Sequence, residues 1–537
     1  MALRSRSASA VRAVRAAAVR RLSVDPRALV ALRVALATLL LADLALRARS
    51  LRFFYTDAGS LPRAALTAEF PVVARLSLHA LFGGAWWTVL LFALAAVAAL
   101  AMLGGYRTRT AAVCSWLLLV SLHARNPLVL NGGDSLLRRT LLWSLFLPLG
   151  SGLSMGTVRR AVAGGDEAGG SDGGDGGDAA GRVGSVERCT HPAAAALLIQ
   201  PVVVYAVNAV IKLRGSAWPS GRAVRTVFRI DSLTVLFGDV LAGYPTVLTV
   251  LGIGWLALLC GSPLLLLTTG RARVAVVAAF AAAHVGMALT LGVGLFPLIS
   301  VAALLPYLPT RVWDAVERRW DPAATRLRSI GTAARGAAAG PLAAPIDGVA
   351  RARERASVEG AESPNRARVV ATAGRAGRVV AAAGLVVVVA WNAAALGYVD
   401  TPDVGETAVS PGETRWDMFA PAPPRNDVWY VARGTLRSGG SVEVIRGGEF
   451  TWERPDGPWT SYPSARWRKY LEVVRWSDDD RLRRHFAAAL CDRWRWRHGG
   501  EPLDRVVVYA VVEPVEPDGS GEVRRERVRG HDCPAGG

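Results

Sequence analysis

Only two of the 63 basic residues in this 537-residue chain are lysines, Lys212 and Lys469; the rest are arginines. Lys212 closes a long apolar stretch, AAAALLIQPVVVYAVNAVIKL. A guanidinium stays protonated in any protein environment, whereas a buried ammonium can lose its proton and act as a base. An ionisable group in a stretch of this kind is a candidate functional residue, although a lysine at a helix end can also snorkel to the interface. Asp134, in HARNPLVLNGGDSLLRR, offers a carboxylate that can pair with an ammonium or accept a proton. The same Asn-Gly-Gly-Asp turn can simply cap the next helix. His284, in AHVGMALTLGVGLFPLIS, brings an imidazole into an apolar helix, for proton exchange or as a hydrogen-bonded packing residue. Tyr55 and Asp57, in LRFFYTDAGSLPR, can line the mouth of a site. The alternative for that loop is an interfacial aromatic belt followed by a turn. The chain has no HExxH, no GxSxG with supporting partners, no Walker A sequence and no zinc-ligand spacing, so no metal is expected.

These residues need elements to hold them, and the composition points to membrane helices. Half the residues are apolar and the mean hydropathy is positive. Apolar runs of near-bilayer length lie at 28–47, 86–104, 109–124, 135–153, 193–213, 246–267, 273–293, 295–310 and 379–398. The expected fold class is mainly α: a polytopic α-helical membrane bundle of about eight or nine spans with a small C-terminal α+β domain on the outer side. The net charge of +20 is compatible with nucleic acid, but no nucleic-acid-binding motif accompanies it. The arginines cluster in the N-terminal tail, in 311–378 and in the C-terminal part, a distribution that membrane orientation and a lipid surface explain.

Residues 1–27 resemble a transit peptide in composition but lack the core and cleavage site of a signal; they read as a basic cytoplasmic tail. The membrane domain is expected over 28–310, interrupted by a disordered Gly/Asp-rich loop at 164–181. Residues 311–378 carry thirteen arginines and are placed in the cytoplasm. A final helix at 379–398 then delivers 399–537 to the extracytoplasmic side. The loop 213–245 disagrees with this scheme, because Arg214, Arg222, Arg225 and Arg229 would lie outside. In the last part, DVWYVARGTLRSGGSVEVI reads as a hairpin, SDDDRLRRHFAAALCDRWRW as a capped helix and DRVVVYAVVEPV as a strand. Cys114 and Cys260 fall in apolar runs and are expected in the core, while Cys491 and Cys533 can pair if their domain lies outside the cell.

Three segments in order, RVALATLLLADLALRARSLRFFYTDAGSLPR, NPLVLNGGDSLLRRTLLWSLFLPLG and QPVVVYAVNAVIKLRGSAWPSGRAVRTVF, resemble the HTTM domain. That domain is shared by vitamin K-dependent gamma-carboxylases and their prokaryotic relatives. The likeness covers roughly 25–310, and WDMFAPAP at 416–423 is similar to a segment that follows the domain in those relatives. It implies a membrane enzyme that oxidises a reduced naphthoquinone, of vitamin K or menaquinol type, with O2. The strong base so formed takes a proton from a glutamate γ-carbon, to which CO2 adds, a lyase-class carboxylation. The family's lysine base lies in a context that VIKLRGSAW matches at Lys212, with Trp218 following. The family's histidine in the second segment is replaced here, the nearest position being Asp134, and a carboxylate does not stand in for a neutral imidazole donor.

The expected site therefore has Lys212, Asp134 and His284 as catalytic residues, and Tyr55, Asp57 and Trp218 around the quinone. Expected partners are the lipid bilayer, the quinone and a protein or peptide substrate on the outer side, with no nucleic acid. The expected location is the cell membrane, multi-pass, with the N-terminus cytoplasmic. The rival is a non-catalytic membrane protein that binds quinone or lipid, or scaffolds a partner. A transporter fits less well, since the chain has no inverted repeat and no matching pair of broken helices.

Overall fold

The computed structural model describes residues 13, 16–150, 188–319, 364–396, 398, 418–455, 461–477, 479–498, 501–515 and 521–534. The 164–181 loop lies outside these residues, as do most of the 1–27 tail and most of 311–378.

A helix forms in each apolar run: α1 (Pro26–Ala48), α2 (Ala85–Leu103), α3 (Thr108–Arg125), α4 (Gly132–Ser144), α5 (Pro192–Leu213), α6 (Pro245–Cys260), α7 (Gly270–Thr290), α8 (Phe296–Leu304) and α9 (Pro364–Ala395). Five of these, α1, α2, α5, α7 and the Arg375–Ala395 part of α9, are long and apolar enough to cross a membrane. Of the others, α3 is long enough but carries Arg109, Arg125 and several polar residues, whereas α4, α6 and α8 stop short for local reasons. In 135–153 the helix ends at Ser144, and Pro148 blocks its continuation. In 246–267 it ends at Gly261 ahead of Pro263, and in 295–310 it tightens into the 3₁₀ turn Leu305–Tyr307 around Pro306.

Helix α5 is the centre of the bundle. Its apolar window is 72% buried, against 50% for α1 and 11–28% for the other candidate spans. It shares one apolar core with residues of α1, α4, α7 and α8, among them Leu36, Leu137, Leu197, Phe280 and Ile299. The peripheral helices expose apolar side chains outward, such as Val97 of α2 and Val250 of α6. Such a surface is stable only against lipid or another apolar partner. It also corrects one expectation: Cys114 and Cys260 are exposed, because an outward face of such a helix is as apolar as its inward face.

The C-terminal part folds as an α+β unit. Strands β1 (Asn426–Leu436) and β2 (Ser441–Glu443) form the expected hairpin. They are followed by α10 (Ala465–Trp476), α11 (Asp480–His498), β3 (Leu503–Pro514) and β4 (Arg524–Asp532). The antiparallel sheet has the order β2-β1-β3-β4. Alternate β3 residues Val506, Val508, Ala510 and Val512 face the helices, in the same core as Trp467, Tyr470, Phe486 and Leu490. A disulfide joins Cys491 of α11 to Cys533 beyond β4.

This unit is anchored to the bundle by the loop after α1. Phe53, Phe54 and Tyr55 are buried in the C-terminal unit's core, and the Phe53 ring stacks on Trp467 at 4.3 Å between centroids. The aromatic run thus packs between the two parts of the chain, not as an interfacial belt. Arg214, one of the discordant loop arginines, donates to the Leu396 carbonyl at the end of α9 (2.9 Å).

Candidate functional site

Lys212 sits on the last turn of α5 with 1% of its surface exposed. Its Nζ donates to the carbonyl oxygen of Met418 at 2.7 Å and lies 3.6 Å from the centre of the Trp218 ring. Trp218 is itself fixed, its Nε1 donating to the Phe419 carbonyl at 2.8 Å. The start of the Met418–Pro424 segment therefore straps the lysine and the tryptophan together from 200 positions away. Gly215 permits this approach, since a Cβ there would collide with the Pro421 carbonyl.

Lys212 and Trp218 border a cavity of about 1010 Å³. Its apolar wall comes from α6 (Val250, Gly254, Trp255) and α7 (Ala283, Gly286, Met287). Val250 and Leu251 also reach the outer apolar surface, so the cavity borders the bundle's exterior between α6 and α7. Its other end is polar. Asn131 and the first residues of α4 contribute there, with Arg468, Lys469 and Glu472 of α10. Both lysines of the chain line this one cavity. Lys469 pairs with Glu472 at 3.8 Å on the partly exposed side, and burial lowers the Arg468 guanidinium below its ordinary value.

His284 lies behind this wall, fully buried. Its Nδ1 donates to the Phe280 carbonyl at 2.8 Å, which leaves Nε2 of the neutral ring as an acceptor. Nε2 has no partner among the described residues. The ring is 5.4–5.9 Å from those of Trp255, Tyr205 and Phe296, all of which border the cavity.

Asp134 and Tyr55 belong to a second cluster. Asp134 completes a capping box at the start of α4: Asn131 Oδ1 accepts from the Gly133 and Asp134 amides, and Asp134 Oδ2 accepts from the Asn131 amide at 2.9 Å. The same carboxylate accepts from Arg47 (2.7 Å) and from Arg466 (2.9 and 3.1 Å). Arg47 also holds Asp43 at 2.7 Å, the Tyr55 hydroxyl at 2.8 Å and His123 Nε2 at 3.0 Å, and Arg466 reaches across to Asp43 as well. The side chain of Asp134 is thus directed into an arginine network beside the cavity, while its neighbours Gly132 and Gly133 line the cavity itself. Asp57 is apart from both clusters, binding Arg63 (2.7 Å) and lying 3.5 Å from Arg125. Neither Tyr55 nor Asp57 is among the cavity-lining residues.

Asp43, His123 and Asp134 place potential ligand atoms within 4.8 Å of one another. Two guanidiniums already balance the two carboxylates at that place, so the charge a cation would answer is met. Asp43, Arg47, Arg466 and His123 were not among the residues expected to form a site. The signal available was Asp43 and Arg47 at i, i+4 on one helix, a spacing that makes an ion pair. Comparison of the chain with family models, curated proteins and solved structures found no match.

Proposed function

We propose that this chain is an integral membrane enzyme of the HTTM type that oxidises a reduced naphthoquinone with O2, with Lys212 as the base. The observation that carries the reading is the burial of Lys212 Nζ at the edge of a large, mostly apolar cavity bordering the lipid-like exterior of the bundle. Such a cavity suits a flat apolar ring system arriving from the bilayer. The quinol would supply the reducing electrons and, after reaction with O2, the strong base used for carboxylation. Lys212 would take the first proton, the Met418 carbonyl and the Trp218 ring would hold its amine in place, the Phe419 carbonyl would fix Trp218, and His284 would offer an acceptor from behind the wall. On this reading the bundle has eight or nine crossings and the C-terminal unit lies outside the cell, in keeping with its disulfide. The polar rim of Arg468, Lys469 and Glu472 would then face a protein or peptide substrate.

One observation favours the non-catalytic alternative, a quinone- or lipid-binding protein. The face of an indole ring is a binding surface for an ammonium, and Lys212 rests on it. The test is an epoxidation assay on purified protein in nanodiscs, with a reduced naphthoquinone and O2, comparing Lys212→Ala and Lys212→Arg. Epoxide formed by the wild type and lost in both variants supports a lysine base, because arginine keeps the charge but cannot give up its proton. Binding of the quinone without epoxide overturns the enzymatic reading.

A further inference from the structure

A second cleft, of about 700 Å³, lies where α1 and α2 meet the C-terminal unit. Its apolar sides are Leu41, Leu44, Ala45 and Ala48 of α1 and Val89, Phe92, Ala93 and Ala96 of α2. On each helix these positions follow the i, i+3, i+4, i+7 pattern, so they form one continuous stripe about 10 Å long. Alanines line both sides and leave a groove between the larger side chains.

The head of this groove is basic. Arg49, Arg52 and Arg493 line it, together with Trp496. None of the three arginines forms an ion pair among the described residues. Arg52 stacks over the Trp496 ring at 4.4 Å, and Arg493 is buried, with 6% of its surface exposed. Arg493 Nη2 donates to the Ile445 carbonyl at 2.9 Å, whereas among the described residues its Nε has no partner, and neither has Trp496 Nε1. Burial and the neighbouring Arg497 lower the Arg493 guanidinium below its ordinary value although Glu443 opposes them, and three arginines around one cleft repel each other unless an anion sits among them. The cleft thus combines a cationic head with an apolar groove running down the outside of two membrane-length helices.

We infer that this cleft binds an anionic phospholipid, its phosphate among Arg49, Arg52 and Arg493 and one acyl chain in the groove between α1 and α2. The inference rests on the reading that α1 and α2 cross a bilayer, but not on the chemistry proposed for Lys212. Arginine forks match phosphate oxygens in pairs, and an acyl chain fills a groove that soluble anions leave empty. The lipid would also fasten the C-terminal unit to the bundle, because Arg493 comes from α11, Arg49 from the end of α1 and Arg52 from the turn that follows it.

The test uses the full chain in nanodiscs of phosphatidylcholine containing a minor fraction of phosphatidylglycerol, released into the gas phase for native mass spectrometry. The expected result is selective retention of phosphatidylglycerol. In Arg49→Gln/Arg52→Gln its apparent affinity should fall by about 30-fold, the effect of two arginines at a lipid surface. Both arginines are exposed, so this variant keeps the fold, which circular dichroism checks. Ala93→Trp, which fills the groove, should also displace the lipid, and inorganic phosphate should not compete at millimolar concentration. Equal retention of both lipids, or unchanged retention in the arginine variant, overturns the inference. Displacement by inorganic phosphate, with binding intact in Ala93→Trp, overturns it too, by reducing the site to a phosphate pocket. A chain that stays monodisperse without detergent or lipid would refute the bilayer reading itself, which separates that failure from failure of the site.

Discussion

Arg466 is the sharpest place to perturb this protein. It comes from the start of α10, yet its guanidinium lies between Asp43 of α1 and Asp134 of α4, with a further bond of 3.2 Å to the Val129 carbonyl. Two buried carboxylates are balanced there by two guanidiniums, those of Arg47 and Arg466. Arg466→Ala leaves the pair of carboxylates facing Arg47 alone. Removing one partner of a buried ion pair costs about 3–5 kcal/mol, because the remaining charge stays out of water. In a chain of this size that corresponds to a fall of roughly 6–10 °C in melting temperature, at ~2 °C per kcal/mol. The assay is thermal unfolding in one detergent, followed by tryptophan fluorescence, for Arg466→Ala, Asp134→Asn and the double variant. Asparagine can keep the capping geometry at the start of α4 while removing one negative charge. The double variant should therefore be more stable than the sum of the single effects by at least ~1 kcal/mol. A melting temperature within 1 °C of wild type for Arg466→Ala, or strict additivity in the cycle, would show that the network does not clamp the two parts together.

Three other outcomes follow from the same geometry. Gly215→Ala should push the Met418–Pro424 segment off Lys212 and Trp218, read as faster amide hydrogen exchange in that segment and loss of any quinone-dependent activity. The Cys491→Ala/Cys533→Ala pair opens a 42-residue loop and should cost about 2–4 kcal/mol, measured as a lower melting temperature that added reductant no longer changes. His79, in the connection between α1 and α2 and buried against Ser121 of α3, is held down to about 3 by burial and by Arg125 and Arg47. The unfolded chain binds that proton more readily, so stability should fall as pH drops below about 6.5, by up to ~2 kcal/mol at pH 5, and His79→Gln should flatten this slope.

Much of the local architecture was legible in the residues. An apolar run of bilayer length has few stable conformations other than a helix, and each run did become one. The Gly-Gly turn between alternating segments marked the β1–β2 hairpin, and the acidic cap marked α11. Two elements escaped. In β4, RRERVRGHD is an edge strand, and its charges guard an open edge instead of alternating with apolar residues. In α10, ARWRKYLEVVRW mixes arginines with the apolar positions 467, 470, 471 and 474 that pack on the sheet, and the arginines obscure the stripe.

By itself the sequence determined most of the helices and strands, α10 and β4 apart, that the chain presents membrane-length apolar helices, and that Lys212 is the residue whose type and place stand out. Those properties are set by neighbours within a few positions, through periodicity, capping and breaker residues. The tertiary structure alone decided what Lys212 meets. Its carbonyl partner, Met418, is 206 positions away, and the cavity beside it is assembled from α5, α6, α7 and α10. It likewise decided that Asp134 faces Arg466, 332 positions distant, and that Arg49, Arg52 and Arg493 converge on one groove. Ion pairs and cavities depend on which surfaces packing brings together, and a charge in the sequence carries no mark of the partner it will find.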